Sequence, residues 1–233
     1  AAGLDGGTIT PTGASVGTKQ GFSIIAYTGN GSNSTISHGL TKKPQFILAK
    51  NRDSTFYCHV YHAGMGYTKY ADIQESLGYF ETNANYWTAE PTSSVFSIGT
   101  ANALNKTDDK IISYLWHDVP GLQKFGIYEG NADTDGPYVE LGFKPAILML
   151  KNADAAEHWY VYDSERSSYN PAYQRLLWSS DAVEENSNVN ARVDLLSSGF
   201  KLRQTNAPNT ANTYIYAAWA EAPAINLYGG QSN

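Results

Sequence analysis

The side chains in this sequence that could do chemistry fall into a few small groups. His59 and His62 form H-x-x-H, a spacing that holds a metal when both rings project from one side of an element. The residues around them read as a strand, where positions three apart point to opposite faces and cannot share a cation. His38, His117 and His158 have no second ligand at a useful spacing. Gly13-Ala14-Ser15-Val16-Gly17 matches the G-x-S-x-G of a nucleophile elbow, yet no strand is expected before it and no helix after it, so the match reads as coincidence in a Gly/Ser/Thr-rich stretch. Asn131, Asp133 and Asp135, followed by Gly136, place oxygen side chains at alternate positions and could wrap Ca2+ as in the first half of an EF-hand loop. The second half of that loop is missing, because Gly142 stands where the bidentate Glu should be. A solvated turn is the ordinary alternative. Glycosidase chemistry needs two carboxyls facing each other across a cleft. Asp108-Asp109, Asp154, Asp163 and Glu184-Glu185 are available, but their spacing does not set such a pair apart.

Aromatic rings are the remaining option. Trp87, Trp159 and Trp178, with Tyr86, Tyr169 and Tyr173, lie near Asn and Asp residues, where a ring can stack on a sugar and the polar neighbour can bond its hydroxyls. These six are the candidate ligand-binding residues. For any one of them, burial in a core or a subunit interface is the bland alternative.

The elements that must position these groups come in two copies. Tyr27-Thr28-Gly29-Asn30 matches Tyr128-Glu129-Gly130-Asn131, Pro44 matches Pro145, Lys50-Asn51-x-Asp53 matches Lys151-Asn152-x-Asp154, and Val60-Tyr61 matches Val161-Tyr162, all at one constant offset. Further on the register slips, and Trp116 and Pro120 meet Trp219 and Pro223. Phe46-Ile47-Leu48-Ala49 and Ala146-Ile147-Leu148-Met149-Leu150 are continuous apolar runs, each preceded by a proline, as suits strands covered on both faces. Around them lie short β-branched and aromatic stretches separated by turn residues such as Gly29-Asn30-Gly31 and Asp135-Gly136-Pro137. Irregular or briefly helical segments are expected near Lys69 to Leu77 and Pro171 to Leu177. The pattern predicts an all-β fold of two tandem repeats, each a short-stranded antiparallel unit, forming a β-sandwich or a closely packed pair of β-sandwiches. The expected limits are 1–20 for a linker or stalk, 21–121 and 122–223 for the repeats, and 224–233 for a C-terminal tail.

Composition agrees with that class. Of the 233 residues 42% are hydrophobic and only 16% charged, with 17 Tyr, 5 Trp and 21 Gly, an aromatic-rich and Gly-punctuated balance typical of extracellular β proteins. A net charge of −6 would repel a phosphate backbone, which argues against a nucleic-acid partner. No apolar run approaches the ~20 residues that span a bilayer, so no membrane partner is expected. Cys58 is the single cysteine, which rules out an intrachain disulfide and reads as a buried small hydrophobe.

Several strings carry a family likeness: Gly21-Phe22-Ser23-Ile24 with Tyr27-Thr28-Gly29-Asn30-Gly31, His38-Gly39-Leu40, Lys50-Asn51-Arg52-Asp53, Pro91-Thr92-Ser93-Ser94-Val95-Phe96, Lys124-Phe125-Gly126 and Ser198-Gly199-Phe200-Lys201. On these the chain resembles a domain found, often as a tandem duplication, in tail-fibre and adhesin-like structural proteins of tailed bacteriophages, especially those of marine bacteria and cyanobacteria. The resemblance runs from Gly21 to Pro223 and brings no catalytic residues with it. It implies a non-enzymatic virion surface protein, assembled in the host cytoplasm, with other virion proteins and copies of itself as partners, a trimer being one such homo-oligomer. A tail-fibre or receptor-binding module would contact a host-surface glycan. The alternative is a purely structural module such as a capsid decoration or fibre-assembly protein. No cofactor is expected beyond the Ca2+ that the Asn131 loop could take.

Overall fold

A computed structural model describes residues 3–74, 80–184 and 192–223. They divide between Asp118 and Val119 into two compact units, the first also taking in the N-terminal residues and the second Gln74. The expected tail at 224–233 lies outside the described residues.

In the first unit, β1 (Gly13–Gly17), β2 (Phe22–Thr28), β9 (Lys110–Trp116), β4 (Phe46–Asn51), β5 (Cys58–His62), β6 (Lys69–Asp72) and β7 (Glu81–Thr82) form one antiparallel sheet in that order. β3 (Ser34–Ser37) and β8 (Val95–Ile98) form a small second sheet. The single helix among the described residues is one turn, α1 (Asn102–Asn105). Alternate residues of β2 and β9 are buried, the period of two that a pleated strand imposes. Their inward set, Ile25, Tyr27, Ile111 and Leu115, packs with Ile36, Phe96 and Ile98 of the small sheet to make the core.

The second unit repeats the plan. β10 (Gln123–Glu129), β17 (Thr213–Ala220), β12 (Pro145–Asn152), β13 (Tyr160–Asp163) and β14 (Leu176–Leu177) form the large sheet, and β11 (Tyr138–Glu140), β16 (Gly199–Leu202) and β15 (Val193–Leu196) the small one. Tyr128, Leu148, Leu150, Tyr162, Phe200, Leu202 and Tyr214 fill the space between them. The fold is all-β and sandwich-like, as expected.

Two devices recur at matched places. The Tyr27 hydroxyl donates to the Leu104 carbonyl at 2.9 Å, and the Tyr128 hydroxyl to the Pro208 carbonyl at 2.7 Å. The buried side chain of Asn105 accepts from the Asn30 amide and donates to the Gly99 carbonyl, while Asn209 accepts from the Asn131 amide and donates to the Gln204 carbonyl. These bonds hold the turn after β2 against the segment before β9, and the turn after β10 against the segment before β17. That contact is close enough to require glycine: a Cβ on Gly29 would sit 2.2 Å from the Lys106 carbonyl oxygen, and one on Gly130 2.0 Å from that of Thr210.

Three expectations need correction. The described residues of the expected 1–20 linker belong to the fold: β1 pairs along β2, the Ile9 amide bonds the Thr35 carbonyl, and Ile9 enters the core. Their Gly, Ser and Thr content suits an exposed edge strand as well as a stalk. The segments expected to be irregular or helical contain the short strands β6, paired between β5 and β7, and β14 at the sheet end, while 171–175 is irregular apart from isolated bridges at Ala172 and Arg175. The constant offset between the repeats also conceals two compensating changes. Ile36 faces Phe96 where Val139 faces Phe200, and the left-handed Gly39 answers the left-handed Gly142, so His38 is replaced by Leu141 in the second unit.

Candidate functional site

The six candidate rings separate by burial. Trp87 and Trp159 are each 1% exposed. Trp87 bridges Ile98 and packs edge-on against Tyr61 at 5.9 Å, inside the first core. Trp159 gives its carbonyl to the Trp178 amide while its own ring is enclosed. Neither can stack on a ligand, and both leave the candidate set; their position beside variable segments did not reveal that the neighbouring strands turn them inward. Tyr86 lies flat against Tyr70 at 3.9 Å and 8°, with the His59 ring 4.8 Å away. That cluster is half-buried. Tyr169 is 63% exposed and Trp178 46%. The Tyr169 and Tyr173 hydroxyls share a hydrogen bond of 2.7 Å, so the structure brings those two candidates together.

Tyr169 stands on the loop between β13 and β14, and that loop is pinned at several points. The Arg166 amide and guanidinium both bond Asp163, and the same guanidinium reaches Glu184 at 2.8 Å. The Asn170 side chain donates to the Leu195 carbonyl at 3.0 Å and accepts from the Leu195 amide at 2.8 Å. The Gln174 amide bonds the buried Ser167 hydroxyl. A ring carried on so constrained a backbone is held ready for a partner at little further entropy cost. Lys144, with Ser168, Tyr169 and Asn170, lines a small polar notch there. The same lysine borders a shelf of about 350 Å3 that includes Ser164 and Ser197.

Trp178 belongs to a different feature. It walls an open groove of about 730 Å3 on the outer face of the large sheet, with Ile147, Met149, Val161, Leu176 and Trp219. Only Ser180 adds a polar side chain. The groove exists because Ile147 is 45% exposed where its counterpart Phe46 is fully buried. In the first unit Phe22 stacks on Trp116 at 4.8 Å, and Phe46 meets both Trp116 and His62. Rings fill that face.

The remaining chemical candidates are engaged in holding the fold. His59 and His62 are buried on opposite faces of β5, as the strand period requires; His59 pairs with the Asp72 carboxylate and His62 meets Phe46. In the Asn131 loop the Asn131 side-chain oxygen accepts from the Asp133 amide, that of Asp133 from the Asp135 amide, and Asp135 bonds Lys201 at 2.8 Å. The Lys201 ammonium holds the Asp135 carboxyl below the usual range. One side-chain oxygen of each of these three residues thus already accepts a hydrogen bond within the loop or from Lys201, and no group of three or more His, Cys, Asp or Glu side chains that could hold a metal occurs among the described residues. Asp109 accepts from Ser54 at 2.7 Å and Asn51 at 2.9 Å, Asp154 from the Thr213 amide, and Glu185 lies outside the described residues. Sequence reasoning passed over Glu157, whose carboxyl burial raises above its ordinary value beside the Tyr214 hydroxyl, and Lys144, for which the only signal was its place before a repeated proline.

Fold and site together define a tandem all-β module with an exposed aromatic loop on its second unit. A family model described as a domain of unknown function (DUF7483) matches residues 2–223, and the chain belongs to that family. The match takes in both units and the N-terminal edge strand. No curated protein and no solved structure matches the chain.

Proposed function

We propose that the protein is a non-enzymatic surface module of a tailed-bacteriophage virion, part of a tail fibre or receptor-binding protein, which contacts a host-surface glycan through its second unit. The observation that carries this reading is the pinned loop bearing Tyr169 and Tyr173. It offers an exposed ring and hydroxyls on a rigid backbone, and the first unit has the glycine-rich Ala63-Gly64-Met65-Gly66 after the equivalent strand. One such contact is weak, and a virion multiplies it by presenting many copies. The location on a virion rests on the sequence resemblance. Binding of the full chain to an array of bacterial glycans tests the reading: Tyr169→Ala should abolish the signal while leaving the unfolding midpoint in place. Binding that persists unchanged in Tyr169→Ala would remove the loop from the site.

The groove at Trp178 supports a second reading, a structural module that buries this face against another virion protein or a copy of itself. Its apolar lining suits a protein surface better than a sugar. In that case Trp178→Ala should weaken assembly, read by sedimentation, and leave glycan binding untouched.

A further inference from the structure

We infer that the hollow around Lys144 takes a sugar carrying a negative group, a carboxylate or a phosphate; the inference rests on the glycan reading and names the ligand's charge class. Lys144 borders both the polar notch and the neighbouring shelf, so one cation faces two adjoining depressions. Among the described residues it has no carboxylate partner. Of the acids near the loop in sequence, Asp163 and Glu184 both bond Arg166, and the exposed Glu165 lines neither depression. Glu221 lies on the shelf and not on the notch, which directs an anionic group toward the Tyr169 side.

The rest of the lining fits a saccharide. The Ser164, Ser168 and Ser197 hydroxyls can donate or accept, and the exposed Tyr169 ring supplies a flat apolar surface. At about 350 Å3 the shelf stands near the lower end of the ~300–1,000 Å3 typical of small-ligand sites. The first unit provides an internal control. Lys43 precedes Pro44 as Lys144 precedes Pro145, but the tyrosine of the equivalent loop, Tyr67, is partly buried against the core of its unit, so the cation was duplicated and the exposed ring of Tyr169 was not.

The test uses the full chain and matched oligosaccharides that differ in one substituent: a carboxylate, a phosphate, or a neutral replacement. Titration calorimetry should show the charged members binding about tenfold more tightly than the neutral one, in keeping with one charge-assisted hydrogen bond. Lys144→Gln should erase that difference, so that charged and neutral members bind the variant alike, and Lys144→Arg should retain it. Preference for the carboxylate alone or the phosphate alone identifies the source and supports the inference either way. Neutral binding with no charge preference, or a preference that survives in Lys144→Gln, overturns the inference while the glycan reading stands. Absence of binding to every saccharide overturns both.

Discussion

The two units share a strand plan and differ in what they leave open. In the first, the outer face of the large sheet is filled by Phe22, Phe46, Trp116 and His62, and β1 covers the edge of β2. In the second, Ile147 replaces Phe46, Asp163 replaces His62 and Gln123 replaces Phe22, which opens the groove, and β10 forms the end of its sheet. The inner halves are nearly interchangeable: Tyr27 and Tyr128, Asn105 and Asn209, Gly29 and Gly130 make the same contacts. Duplication therefore preserved the parts that close each sandwich and released the parts that face outward.

The largest expected effect tests the shared half. Gly29→Ala and Gly130→Ala each force a Cβ into a backbone carbonyl, where no side chain can give way, and should cost about 4 kcal/mol or more. Amide hydrogen exchange should place each loss within its own unit. A substitution tolerated in one unit and not the other would break the equivalence.

Phe46→Ala and Ile147→Ala probe the outer faces. The first empties a filled site and should cost about 4 kcal/mol, whereas the second trims a half-exposed groove wall and should cost about 1 kcal/mol in denaturant unfolding. Equal costs would mean that the groove is covered in solution. Asn105→Ala and Asn209→Ala should lie between these, at about 2–3 kcal/mol each, because each strands buried backbone groups.

Acid should separate the units further. His38 is buried, accepts from the Leu40 amide and bonds the Thr92 carbonyl, and burial lowers its pKa from 6.5 to about 4. Between those values the unfolded chain binds the proton and the folded chain does not, so this contribution is complete above pH 6.5 and is lost as pH falls toward 4. The loss should approach about 3 kcal/mol by pH 4, and His38→Leu, which installs the residue found at Leu141, should remove that pH dependence. Glu157 in the second unit has the opposite sign. Burial raises its pKa, so the folded state there gains relative stability as the carboxyl protonates. Thermal melts from pH 7 to pH 4, with each residue replaced in turn, check both directions. The smallest effect is at the surface, where Tyr169→Ala should change stability by less than about 0.5 kcal/mol.

Much of the fold was legible in the residues. The offset that carries Tyr27-Thr28-Gly29 onto Tyr128-Glu129-Gly130 carries all of β2 onto β10, and the apolar runs after Pro44 and Pro145 are the central strands β4 and β12. Period-two burial and turn chemistry are local properties, so they survive in a single sequence. The burial of Trp87 and Trp159 was not legible, because it depends on which strand lies across from them. The exchange of His38 for Leu141 was hidden because insertions of opposite sign restored the offset within a few residues. The edge strand β1 was missed for a third reason: pairing along one side needs backbone more than side chains, and Gly-Ala-Ser-Val-Gly has little else to show.

That edge strand has a mechanical consequence. Phe22 pairs with Trp116 and Gln123 with Trp219, so in both units the first and last matched strands begin and finish at the same end of the sheet. Tension along the chain would peel such a pair apart one hydrogen bond at a time. In the first unit β1 changes the loading point, because Gly13 lies beside Ala26 at the opposite end, and the pull is then shared across all the bonds between β1 and β2 at once. A single-molecule extension trace should accordingly show two ruptures, the second unit yielding at the lower force: a compliant segment in series with a stiff one.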